Sequence, residues 1–120
     1  MNSYKDMEIF HDARRLAIEV HRVSLLFPKF ELYEEGSQLR RSSKSIASNI
    51  VEGFGRRKYK ADFIKHLVYS RCECDETLLH LDIVFETRSL NDELKYKELT
   101  RDYTILGKRI NRLILWLEEH

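Results

Sequence analysis

Apolar residues recur along this chain at alternating spacings of three and four, the period of amphipathic helices. In the first such stretch Phe10, Ala13, Ala17, Val20, Ser24 and Phe27 form one heptad-like stripe, widened by Ile9, Leu16 and Val23. Ser3 or Asp6 is placed to cap it and Pro28 to end it, which predicts a helix over about 6–27. Pro28 to Gly36 reads as a connection with partial helical character. A second helix is predicted over about 34–54, with Gly53 or Gly55 expected to supply a left-handed cap. The third, over about 59–88, carries Phe63, Ile64, Leu67, Cys74, Leu78, Leu81, Val84 and Phe85. At ~1.5 Å per residue it would be roughly 45 Å long. Ser89 to Asp92 then makes a turn rich in capping residues, and Asp92 and Glu93 suit the positive first turn of a fourth helix over about 92–118. Leu99, Tyr103, Leu106, Ile110, Leu113 and Leu117 line that helix at heptad spacing.

The second helix has two seams. Leu39, Ser43, Ile46, Ile50 and Gly53 make an apolar one. Gln38, Arg41, Ser45, Asn49 and Glu52 recur beside them and make a polar one. Such a helix is built to be covered on both sides, by helices of its own bundle or of another subunit. Four amphipathic helices with short connections are best solved by an antiparallel up-down-up-down bundle. No segment alternates apolar and polar residues between turn dipeptides, so strands are not predicted. The expectation is therefore an all-α single domain spanning 1–120.

Composition agrees with that picture. One Pro and four Gly leave little for sheet turns, and 42% hydrophobic with 34% charged residues is globular. The net charge of +1 gives no global attraction to nucleic acid or anionic membrane, so such binding needs a local patch. No apolar run approaches the ~18 residues of a membrane span, and the start MNSYKDMEIF does not read as a signal peptide. With two cysteines close together in a helical stretch, a reduced, cytoplasmic chain is expected.

Three segments carry a resemblance. FPKFELY (Phe27 to Tyr33), QLRRSSKSIASNIVEGFGR (Gln38 to Arg56) and FIKHLVYSRCECDE (from Phe63) resemble the four-helix bundle proteins encoded in 23S rRNA intervening sequences. The similarity extends over most of the chain, while helices one and four match only in pattern. The resemblance implies a left-handed antiparallel bundle that assembles into a ring-like homopentamer with no known enzymatic activity. A related branch serves as the accessory protein of diversity-generating retroelements and binds a reverse transcriptase and nucleic acid. That branch is strongly basic, whereas this chain carries +1. The motif's polar positions fall here on Gln38, Arg40, Arg41, Ser45, Asn49 and Glu52, and on Ser70 and Glu73 of the third helix. Two departures are present. Glu34 and Glu35 stand where the family often has Gly-Leu, and Tyr69 stands where a Gly often precedes the serine. Helix approach at that level is expected to differ.

A di-iron bundle needs two Glu-x-x-His pairs and two further Glu. Only Glu8/His11 has that spacing, and Asp62/His66 and Glu76/His80 are i,i+4 pairs better read as surface bonds, so no metal or cofactor is expected. Cys72 and Cys74 point about 200° apart on a helix. Cys74 reads as core, Cys72 as free to face a subunit neighbour, and neither has a His base placed by spacing. Glu73 is set to accept bonds from Arg40, Arg41 or Asn49, in a network that with Glu52 fixes helix register or a subunit contact. Trp116 and Tyr103 read as core. The best nucleic-acid candidate is the turn Arg56, Arg57, Lys58, Tyr59 and Lys60, where cations can neutralise phosphates and an aromatic can stack on a base. Gly53 and Gly55 would let backbone N–H groups approach an anion. The preferred reading is a non-enzymatic oligomeric scaffold or accessory protein that presents this patch to RNA, DNA or a nucleic-acid enzyme. A protein-binding module without nucleic-acid affinity is the rival, and a metal-dependent bundle enzyme stands third.

Overall fold

The computed structural model describes residues 2–120. It is all-α: helices α1 (Glu8–Ser24), α2 (Glu35–Gly55), α3 (Lys60–Glu86) and α4 (Glu93–Glu119), with 3-10 turns at Tyr4–Asp6 and Lys29–Tyr33. The described residues include no strand. The body is a rod of 46 × 21 × 19 Å, close to the ~40 Å that a 27-residue helix spans.

Inter-helix bonds give the register. From α3 to α2, Ser70 Oγ donates to the Ile46 carbonyl at 2.8 Å and Thr77 Oγ1 to Ser42 Oγ at 2.9 Å. From α1 to α4, Glu19 meets Lys95 at 3.3 Å and Asp12 meets Arg109 at 2.8 Å. Residue numbers rise on one helix as they fall on the other, so both pairs run antiparallel. α3 packs on α2 and α4, and α1 closes the square against α2 and, more thinly, α4. The predicted stripes supply the centre: Leu16, Val20, Leu39, Ile46, Leu67 and Tyr103 are all fully buried.

Where the helices begin and end differs from the pattern reading in instructive ways. Ser3 and Asp6 do form a capping box, but it closes the short 3-10 turn rather than α1. Met7 is then extended and buried, and α1 starts at Glu8. The other end of α1 stops at Ser24, short of Phe27, because the residue before Pro28 is biased away from helix and Phe27 turns into the core. Neither Gly53 nor Gly55 forms a left-handed cap, since both lie inside α2. Gly53 instead permits close approach, as a Cβ there would meet His66 Cβ at 3.0 Å. The left-handed residue is Arg88 (φ 66°), where α3 ends. Asp92 caps α4 as predicted, accepting from the Lys95 N–H at 3.0 Å.

The connection between α1 and α2 is a polar corner. Glu31 is 4% exposed, and its carboxylate accepts from Ser89 Oγ and from the Glu35 N–H at 2.9 Å. One acid thereby satisfies the start of α2 and ties it to the α3–α4 turn. Arg40 leans back across this corner and donates to Ser24 Oγ at 2.9 Å and to the Leu32 carbonyl. Gly36 lets the chain pass, because a Cβ there would stand 2.5 Å from the Glu31 carbonyl oxygen.

Candidate functional site

The turn from α2 to α3 lies at the opposite end of the rod from that corner. Its five predicted residues, Arg56 to Lys60, are all exposed, but they are not equivalent. Arg56 is held by Glu52 one turn back, Nη2 to Oε1 at 2.9 Å. The Arg57 guanidinium covers the Phe54 ring 4.0 Å from its centroid and donates to the Phe54 carbonyl at 3.0 Å. Both arginines therefore serve the negative C-terminal end of α2. Among the described residues Lys58 and Lys60 have no ion-pair partner. Tyr59 is 63% exposed, with Lys58 Nζ 5.8 Å from its ring centroid. The turn can thus offer two ammonium groups free of ion pairs and one exposed aromatic ring, a face of which Lys58 overlies. Gly53 and Gly55 add no anion nest, because their N–H groups point into a continuing helix.

The polar seam of α2 faces a polar stretch of α3. Gln38, Arg41 and Ser45 on one side and Glu73, Glu76 and His80 on the other line a concavity of about 360 Å³. Burial, then the hydrogen bond and charge of Glu76, push the Glu73 carboxyl above its ordinary value, while Arg41 and His80 pull the other way. His80 Nδ1 sits 2.7 Å from Glu35 Oε2.

The network expected around Glu73 is thus divided. Arg40 belongs to the corner, since adjacent helical residues point about 100° apart and only Arg41 can share the Glu73 face. Asn49 donates to the Ser45 carbonyl at 3.0 Å and lies 3.3 Å from His66 Nδ1, not at Glu73. Glu52 pairs with Arg56, and Ser70 is buried on the Ile46 carbonyl. Tyr69 leaves that approach intact by pointing outward, edge-on to His66 at 5.6 Å. Glu35, the other departure, is the partner of His80.

The remaining candidates resolve simply. Cys74 is buried and its thiol is pushed up to about 12 by burial, while Cys72 is exposed. His11 contacts the Lys5 carbonyl at 2.6 Å, and no metal-binding group of three His, Cys, Asp or Glu occurs among the described residues. Trp116 is not core: it is 54% exposed and stacks on His120 at 4.4 Å, because Leu113, Ile114 and Leu117 take the inward positions of that turn. Among the described residues no helix is long and apolar enough to cross a membrane. Glu31 was missed because its segment has no period and its partner Ser89 is far away in sequence.

Fold and surface define an all-helical bundle with a charged turn at one end and a polar groove along one side. The profile of the 23S rRNA-intervening sequence protein family matches residues 5–112, and the chain belongs to that family. It is also similar to a crystal structure of a protein of unknown function from the S23 ribosomal protein family of Bacteroides thetaiotaomicron. Identity is 25%, the match covers 88% of this chain and 94% of that one, and the TM-score is 0.75. Among curated proteins no relative matches.

Proposed function

We propose that this chain is a non-catalytic, self-associating scaffold whose α2–α3 turn carries RNA or DNA. The observation that supports this most is the division within the turn: Arg56 and Arg57 brace it, while Lys58, Lys60 and Tyr59 stay open. Two ammonium groups are few for nucleic acid, so affinity requires repetition of the turn in an oligomer, for which the family resemblance suggests five copies. In a reducing cytoplasm the exposed Cys72 stays a thiol. No cofactor enters the proposal.

The test is a titration of the protein against structured RNA and duplex DNA at two salt concentrations. Each phosphate neutralised contributes about 0.7–0.9 to the slope of log affinity against log salt. Removing Lys58 and Lys60 together should reduce that slope, and Tyr59→Ala should weaken binding to single-stranded RNA more than to duplex. The internal commitment of Arg56 and Arg57 favours a second reading, a protein-binding module. On that reading nucleic acid does not bind even at low salt, and partners are retained at high salt.

A further inference from the structure

α1 and α2 leave between them a groove of about 590 Å³. Its floor is Ala17, Ile18 and Ala47, and its rim is Arg14, His21, Arg22 and Lys44, with no carboxylate. Two acids of α1 are turned the other way, Asp12 to Arg109 and Glu19 to Lys95 on α4. Lys44 has only the His21 ring as a partner, at 3.1 Å, and Arg14 and Arg22 have no ion pair among the described residues. Leu25, 55% exposed, continues the floor one turn beyond His21.

The outer face of α3 is the converse. From Cys72 to Thr87 the sequence holds five acids and neither Lys nor Arg. None of those acids meets a Lys or Arg in an ion pair among the described residues. Cys72 and Leu79, seven apart and therefore on one stripe, are both exposed, Leu79 at 55%. Asp75, Glu76, Asp82 and Glu86 flank them and are exposed as well. This is an acidic amphipathic helix surface with an apolar midline.

We infer that the basic groove between α1 and α2 receives the acidic outer stripe of α3 from a second copy of this chain. The inference rests on the reading of the chain as self-associating and assigns the surfaces that do it. The small side chains of Ala17 and Ala47 leave room for Leu79, while Asp75, Glu76 and Asp82 reach Arg14, Arg22 and Lys44. Apolar floor argues for a helix rather than for nucleic acid, since the groove holds no Phe, Tyr or Trp and its one ring, His21, is already engaged by Lys44 Nζ. α3 lies across the bundle from α1, so one chain cannot join its own two surfaces. The contact is therefore heterologous, each copy giving its stripe and receiving another, and it propagates into a ring or filament.

Charge reversal tests it, with mass in solution as the readout and helical content and melting as the check on folding. Arg14→Glu with Lys44→Glu should weaken self-association more than about a hundredfold, as should Asp75→Lys with Glu76→Lys. All four substitutions in one chain should restore assembly to within about tenfold, because both faces are reversed together. Leu79→Ser, at an exposed site, should also dissociate the assembly while leaving the helical content unchanged. An assembled wild type whose mass is unchanged by every reversal overturns the inference and leaves self-association standing. A wild type that is monomeric at all concentrations overturns both.

Discussion

The two ends of this bundle use charge in opposite ways. At the α1–α2 corner a buried acid, Glu31, and a half-buried base, Arg40, are each bonded to named partners in other segments. At the α2–α3 turn the cations are exposed, and among the described residues the side-chain hydrogen bonds of Arg56 and Arg57 are local to α2. The buried charges position helices, and removing one strands the groups it satisfies. The exposed ones contribute little to stability and remain available to a ligand. The charged motif positions of this chain are thus not one network, and Arg40 and Arg41, neighbours in sequence, serve different parts of the molecule.

That contrast can be broken by substitution. Glu31→Ala should lower the unfolding free energy by about 3 kcal/mol, since it leaves Ser89 Oγ and the Glu35 N–H unsatisfied inside the corner. Denaturant melts would show it, and a change under 0.5 kcal/mol would contradict the role given to this residue, on the scale of ordinary surface substitutions. Gly36→Ala should cost about 2 kcal/mol, because its Cβ would meet backbone that cannot yield cheaply.

At the other end Gly55 has open space where its Cβ would be. Gly55→Ala should therefore stabilise, by about 0.5 kcal/mol, through helix propensity alone. The smallest effect is expected at Glu73, whose carboxyl is raised by burial and by Glu76. A raised carboxyl binds its proton more tightly in the folded chain than in the unfolded one. Stability is thus retained in acid and declines as pH rises from the ordinary value of 4.5 through the folded one. Glu73→Gln should raise the melting temperature slightly at neutral pH and leave it unchanged well below pH 4.5. A fall at neutral pH would return Glu73 to the role of an ion-pair partner.

The helices were legible because the core needs them: stripes such as Leu99, Tyr103, Leu106 and Ile110 are what a bundle buries. The Lys29–Tyr33 turn was legible only as a connection. Nothing in FPKFELY marks Glu31 as the one acid to be buried, for its bond to Ser89 depends on two separate turns meeting. The capping box at Ser3 and Asp6 was visible, but the pattern does not say whether it opens a long helix or a single turn. Gly53 and Gly55 looked alike beside the predicted helix end, yet one is pressed against His66 and the other against nothing. The basic turn was visible as composition. Which of its cations are spoken for became clear only from Glu52 and Phe54.

The most direct test of this division is the affinity of the Lys58→Ala, Lys60→Ala double variant for structured RNA at low salt, measured beside the wild type. The wild type should bind, the variant should lose about tenfold or more, and the melting temperature should not move. Wild-type binding that the variant retains in full would contradict it.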